Sequence, residues 1–139
     1  MDARKKIIFV KTKEDEKDYQ DIGDDDGAGG VRVPEVYDTL PDDFQTTVAD
    51  KNIQLVDVRT AEEYAEQHIP GAVNIDVYAE DFIGQCKAKL DASRPVAVYC
   101  RSGKRSASAA AQLRKAGFKD VLNLDGGILG WLNAGKPTI

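Results

Sequence analysis

Apolar residues along the chain follow two spacings that alternate with each other. Short runs in which most positions are apolar, typical of strands buried on both faces, lie at residues 53–58, 72–74, 96–99 and 121–124, after a shorter run at 31–33. Between them the pattern is helical, at residues 41 to about 49, from 61, from about 78 to 90, from about 104 to 116, and near 128–132. Strands alternating with helices predict an α/β fold with a mainly parallel central sheet and helices on both faces.

Local signals fix some boundaries of these elements. Thr60 and Glu63 have the spacing of a capping box, in which a hydroxyl and a carboxylate each satisfy a free end of the backbone, so a helix should begin at residue 61. The sequence His-Ile-Pro-Gly at 68–71 predicts a turn, and Gly117 predicts the end of the helix before it. The domain is therefore predicted to extend from residue 31 to residue 139.

Residues 1–30 differ from the rest in composition. They hold six Lys and Arg against nine Asp and Glu, and they end in the acidic, glycine-rich run Asp24-Asp-Asp-Gly-Ala-Gly-Gly30. Such a sequence buries too little apolar surface to offset the entropy of ordering it. We interpret it as a flexible acidic extension with a short strand at 7–10, the alternative being a partner-binding arm.

Charge and composition exclude several classes of partner. The chain has 139 residues, of which 42% are hydrophobic and 31% are charged, and its formal net charge is −5. This balance is typical of one soluble domain and argues against recognition of nucleic acid or of an anionic membrane. Because no run approaches the roughly 20 apolar residues of a membrane helix, we predict a cytoplasmic protein, or a periplasmic one if an export signal has been removed.

One of the two cysteines stands at a chemically informative place. Cys100 lies between a predicted strand and a predicted helix, where backbone N–H groups and the positive end of the helix dipole stabilise anions. Arg101, Lys104 and Arg105 add cations in an acidic chain, and Gly103 permits a left-handed backbone. Lowering a thiol pKa by two units needs about 2.7 kcal/mol, which a helix terminus and one cation can supply. The pattern predicts a reactive thiolate in an anion-binding loop.

Five short motifs occur along the chain in one order. They are Asp57-Val-Arg59, Glu63-Tyr64, His68-Ile-Pro-Gly-Ala72 with Asn74-Ile75, Cys100-Arg-Ser-Gly-Lys-Arg-Ser106 and Asp125-Gly-Gly-Ile-Leu-Gly-Trp131. In this order and separation they resemble a single-domain rhodanese. The resemblance covers about residues 31–137 and implies a rhodanese-like α/β domain.

What the resemblance implies is sulfur transfer without a cofactor or metal. The loop cysteine, here Cys100, would attack the outer sulfur of an anionic donor such as thiosulfate and hold it as a persulfide. A thiol, cyanide or a thioredoxin-like protein would then accept the sulfur. The residues expected to cradle the sulfur or to draw in the donor are Arg101, Ser102, Gly103, Lys104, Arg105 and Ser106.

The other residues that could take part in chemistry are interpreted mainly as parts of the fold. Asp57, Arg59 and Glu63 are expected to form a buried network under the loop, with a pairing of Arg59 and Glu63 as one arrangement. Cys86 is interpreted as a packed core thiol, the alternative being a redox partner of Cys100. His68, the single histidine, is assigned to the fold rather than to proton transfer.

Two rival functions stay open beside sulfur transfer by an enzyme. A phosphatase or arsenate reductase of the same fold would also use a cysteine loop, but in related phosphatases the arginine follows after five residues, whereas Arg105 follows Cys100 after four. The other rival is a persulfide carrier that exchanges sulfur only with proteins. Ile128 and Trp131 are assigned either to the pocket edge or to the core.

Overall fold

A computed structural model describes residues 36–139, and the predictions for the extension 1–30 and for the strands at 7–10 and 31–33 lie outside the described residues. Within the described part, strands and helices alternate. In chain order the elements are β1 (Val36–Thr39), α1 (Pro41–Val48), β2 (Gln54–Asp57), α2 (Ala61–Glu66), β3 (Val73–Asn74), α3 (Phe82–Lys89), β4 (Val96–Tyr99), α4 (Lys104–Lys115), β5 (Val121–Leu124) and α5 (Gly127–Asn133).

The strands form a single parallel sheet in the order β1-β5-β4-β2-β3. β4 lies in the middle and all four of its residues are buried, which explains its unbroken apolar sequence Val-Ala-Val-Tyr. Because the carboxyl ends of parallel strands share one edge, the loops that follow β2, β4 and β5 meet there. The prediction of a parallel sheet is confirmed.

Helices cover both faces of the sheet, as predicted. On one face α1, α2 and α5 pack in a cluster that contains Phe44 and Trp131, whose rings meet edge to face with centroids 6.2 Å apart. On the other face α3 and α4 supply Phe82, Cys86 and Leu113 to a second cluster. No helix among residues 36–139 is long and apolar enough to cross a membrane.

Two predictions of local structure need correction. The helix expected from residue 78 begins only at Phe82, because the carboxylate of Asp76 accepts the N–H of Tyr78 and the carbonyl of Asp76 accepts the N–H of Ala79, which bends the chain into turns. The strand β1 was not predicted. Its residues alternate between buried and accessible positions, as an edge strand does, but polar residues at 38 and 39 weaken its apolar signal.

Candidate active site

The cysteine loop (residues 100–106) joins the carboxyl end of β4 to the start of α4. Gly103 caps α4 with a φ of +106°, a left-handed conformation that an L side chain adopts only with strain. This bend turns the loop back over the end of the central strand. Cys100, the first residue of the loop, is only 1% exposed.

Hydrogen-bond donors converge on the sulfur of Cys100. The backbone N–H of Gly103 lies 3.1 Å from Sγ, and the Ser106 hydroxyl donates to it over 3.4 Å. Burial pushes the pKa of Cys100 upward, but hydrogen bonds from the side chain and backbone of Ser106 and from the backbone of Gly103 and Ser102 outweigh it. The net effect is a Cys100 pKa below the ordinary thiol value, as a nucleophile requires.

The loop packs against the glycine turn (residues 125–127), which leads into α5 and shares Gly127 with it. The N–H of Ile128 donates to the carbonyl of Cys100 over 2.9 Å, and the N–H of Leu129 donates to the carbonyl of Arg101 over 3.2 Å. A Cβ added to Gly127 would lie 2.2 Å from the Arg101 oxygen, so the two backbones touch. Sequence reasoning assigned no role to this turn, although the consecutive glycines were a signal of close backbone approach.

The three cations of the loop differ in their surroundings. Arg105 donates to both carboxylate oxygens of Glu63, at 2.8 and 3.0 Å, and its guanidinium carbon lies 5.8 Å from the ring centroid of Tyr78. The hydrogen bond from Arg105 lowers the pKa of Glu63 to about 2. The side chains of Arg101 and Lys104 are exposed, with no hydrogen bond or ion pair to any residue among 36–139. Within the part of the chain that the structure describes, both side chains are therefore available to an anion.

Glu63 bonds to two elements at once. The sequence predicted its role at the start of α2 but not its pairing with Arg105. Its Oε1 accepts the backbone N–H of Thr60 while the Thr60 hydroxyl accepts the N–H of Glu63, the capping box predicted for α2. The same carboxylate holds Arg105 in the cysteine loop. Glu63 thus ties the start of α2 to the start of α4.

Asp57 and Arg59, which were expected to lie under the cysteine loop, pair with each other rather than with Glu63. Arg59 donates to both carboxylate oxygens of Asp57, with a shortest distance of 2.7 Å, and both side chains are buried. The phenol of Tyr99 donates to Asp57 over 2.7 Å and accepts the N–H of Ile69. This network anchors β4 just before the cysteine loop, and Tyr99 was not singled out because its sequence position indicated only a strand.

The other candidate residues, His68, Ile128 and Trp131, make contacts that stabilise the fold. His68 stacks on Tyr64 with ring centroids 3.8 Å apart, and its backbone exchanges hydrogen bonds with Ile139. Trp131 is buried and donates its indole N–H to the carbonyl of Pro137 over 2.8 Å. Ile128 is also buried, so the core assignment holds for both α5 side chains.

Known proteins resemble the chain in sequence and in fold. A family model described as a rhodanese-like domain matches residues 40–134. A sulfurtransferase of Allochromatium vinosum is 38% identical over 89 residues, which are 64% of this chain and 80% of that protein. A thiosulfate sulfurtransferase GlpE of Pseudomonas savastanoi pv. phaseolicola is 38% identical over 96 residues, 68% of this chain and 87% of that protein.

Solved structures agree with this result. The solution NMR structure of a rhodanese-like domain from Anabaena sp has a TM-score of 0.67 and 28% identity, covering 73% of this chain and 77% of that one. With a parallel α/β sheet and a cysteine loop at its carboxyl edge, the chain is a member of the rhodanese-like domain family. The resemblance predicted from the motifs is confirmed.

Proposed function

We propose that this protein is a sulfurtransferase that moves a sulfane sulfur from a donor such as thiosulfate to a thiophilic acceptor through a persulfide on Cys100. The observation that carries the proposal is the convergence of the Gly103 N–H and the Ser106 hydroxyl on the sulfur of Cys100. Donors that stabilise a thiolate there also stabilise the terminal sulfur of a persulfide, which bears the same charge. The names of the related sulfurtransferases support this function.

The reaction proceeds in two displacements at sulfur. The Cys100 thiolate attacks the outer sulfur of thiosulfate, a new S–S bond forms, and the old S–S bond breaks with its electron pair leaving on sulfite. The product is a persulfide anion on Cys100. A nucleophile such as cyanide or a thiolate then attacks the outer sulfur, and the electron pair of the S–S bond returns to Cys100. No external oxidant or reductant is consumed when cyanide is the acceptor, and the cycle is ping-pong.

In this proposal the three cations of the cysteine loop have two different roles. Arg101 and Lys104 are exposed residues of the loop and place positive charge there in an acidic protein, so they attract the dianionic donor. Arg105 contributes mainly by holding the loop, because Glu63 already neutralises its charge. The proposal therefore gives attraction of the donor to Arg101 and Lys104, whereas the sequence-based expectation gave it to Arg105 as well.

The arrangement of Arg105 also disfavours the phosphatase interpretation. A phosphatase of this kind needs an arginine free to grip the oxygens of a phosphoryl group. Here the two terminal nitrogens of Arg105 are occupied by the two carboxylate oxygens of Glu63. The ring of residues from Cys100 to Arg105 is also shorter by one than in such enzymes, which favours a single sulfur atom over a tetrahedral oxyanion.

The compartment and the acceptor belong to the same proposal. Cys86 and Cys100 are both free thiols, which agrees with a reducing cytoplasm. We expect a cellular thiol, such as that of a thioredoxin-like protein, to remove the sulfur there.

Steady-state kinetics test the proposed function. The wild-type protein should form thiocyanate from thiosulfate and cyanide, and Cys100→Ser should form none. Full activity of Cys100→Ser would refute the persulfide mechanism. Negligible rates with every free donor, alongside rapid loading by a protein persulfide donor, would instead identify a carrier.

A further inference from the structure

The cysteine loop and the glycine turn are two tight bends packed against each other. Gly103 in the first has a φ of +106°, and Gly126 and Gly127 in the second have φ of +87° and +61°. A Cβ on Gly103 would lie 3.3 Å from the nitrogen of Gly126, and a Cβ on Gly127 would lie 2.2 Å from the carbonyl oxygen of Arg101. The two bends therefore leave no room for a side chain at Gly127 and little room for one at Gly103.

The contacts between them fix the direction of two peptide units. The carbonyls of Cys100 and Arg101 point toward α5, where the N–H groups of Ile128 and Leu129 bind them. In a planar trans peptide the N–H points opposite to the carbonyl. The N–H of Ser102 shares its peptide unit with the Arg101 carbonyl, so it must point away from α5.

The amides of this part of the loop act on the sulfur of Cys100, and the N–H of Gly103, the residue after Ser102, lies 3.1 Å from Sγ. The backbone of Ser102 is one of the groups that lower the pKa of Cys100, together with the backbone of Gly103. A short loop without tertiary contacts has many accessible conformations, and few of them aim these amides at the sulfur. The contacts from α5 select such a conformation before any substrate binds.

We propose that the glycine turn is a positioning element for sulfur chemistry, in which Gly127 and the N–H groups of Ile128 and Leu129 aim the amides of the cysteine loop at the sulfur of Cys100. The inference rests on the proposed function, because an aimed loop is useful only if Cys100 carries sulfur. The effect that it predicts, however, is on formation of the Cys100 thiolate alone. Gly127 acts through the loop and touches no reacting atom.

The substitution Gly127→Ala tests this role. The added methyl group must displace the Arg101 carbonyl, and the Ser102 N–H must turn with it because the peptide unit is planar. We expect the midpoint of the pH profile for alkylation of Cys100 by iodoacetamide to rise by about one unit, a tenfold loss of thiolate below the midpoint. The profile is measured in a Cys86→Ala background, so that Cys100 is the only thiol that iodoacetamide can alkylate.

Gly117→Ala is the matched control. Gly117 also has a positive φ, +107°, but a Cβ there meets nothing within 4 Å. Its backbone strain is at least that of Gly127, because a φ of +61° lies near the left-handed helical region that L residues tolerate. The control should retain the wild-type midpoint, so a shift confined to Gly127→Ala reports the contact with the loop.

A second variant keeps the test decisive if Gly127→Ala fails to fold. Replacing the Leu129 backbone amide by an ester, with the side chain kept, removes the N–H that binds the Arg101 carbonyl. We expect a smaller rise of the same midpoint. A folded ester variant with the wild-type midpoint, or a folded Gly127→Ala with that midpoint, would overturn the proposal.

Failure of the proposed function is a separate result. Alkylation measures the thiolate whether or not sulfur is transferred. A wild-type protein with a low midpoint that never accepts sulfur from any donor would refute the transferase function and leave the positioning role intact.

Discussion

The two cysteines lie in the same hydrophobic cluster and are almost equally buried, with exposed fractions of 0% for Cys86 and 1% for Cys100. Their pKa values nevertheless move in opposite directions. Burial raises the pKa of Cys86 to about 11, with only a small opposing effect of Lys89. Burial also raises the pKa of Cys100, but the surrounding donors reverse the shift. Burial alone therefore favours the neutral thiol, whereas the donors at the start of α4 favour the thiolate.

The local backbone explains the contrast. Cys86 lies inside α3, where the N–H groups around it are used by the helix itself. Cys100 lies just before α4, where the first N–H groups of a helix lack partners within it. The position of a cysteine relative to a helix terminus thus separates two otherwise similar buried thiols.

The largest expected effect is the difference in activity between loss of the Cys100 thiol and loss of the Cys86 thiol. Cys100→Ser should have no measurable turnover with thiosulfate and cyanide, because a hydroxyl cannot carry the sulfur. Cys86→Ala should keep kcat within about twofold and lose about 1 kcal/mol of unfolding free energy from the cavity it leaves. Loss of activity in a folded Cys86→Ala would show that the second thiol takes part in the reaction.

A smaller effect should follow removal of one donor to the sulfur. Ser106→Ala deletes the hydroxyl bonded to Sγ, so the Cys100 pKa should rise by about one unit. Because the thiolate reacts, kcat/KM should fall about tenfold at pH values below the midpoint and stay unchanged well above it. Ser108→Ala, an exposed serine on the same helix, is the control. Equal pH profiles for both variants would contradict the role of the hydroxyl.

Donor attraction should depend on the exposed cations. Lys104→Ala is expected to raise the KM for thiosulfate about threefold at low salt, with little change in kcat and a weaker response to ionic strength. Lys115→Ala removes the same charge from the far end of α4 and should leave the KM unchanged. A Lys104→Ala protein with the wild-type KM and salt response would refute this role.

The smallest expected effect concerns stability and its pH dependence. The pKa of Glu63 is lowered from 4.5 to about 2 in the folded protein, so its pairing stabilises the fold above pH 4.5 and is lost as the pH falls toward 2. Since the pair is partly exposed, Glu63→Gln should lose about 1 kcal/mol at pH 7 by urea unfolding. Glu62→Gln, its exposed neighbour, is the control. A Glu63→Gln deficit that persists at pH 2 would show that charge is not the cause.

Sequence alone predicted the features that depend on residues close together along the chain. The capping box at Thr60 and the buried strand β4 follow from local patterns, and so does the position of Cys100 before α4. The alternation of strand and helix patterns predicted the parallel sheet, and the order of the motifs then identified the family.

The contacts that aim the loop could not be predicted in this way. Glu63 and Arg105 are 42 residues apart, and no spacing rule indicates that they pair. Gly127 meets the Arg101 carbonyl only because β5 lies beside β4 in the sheet, which places both loops at one edge. Such contacts follow from topology, so local sequence patterns do not contain them.

Intact-mass analysis after incubation with thiosulfate tests the central claim most directly. We predict a gain of one sulfur atom on the wild-type protein and on Cys86→Ala, reversed by a reductant and absent from Cys100→Ser. A gain of sulfur that survives in Cys100→Ser, or no gain on the folded wild-type protein, would contradict the account.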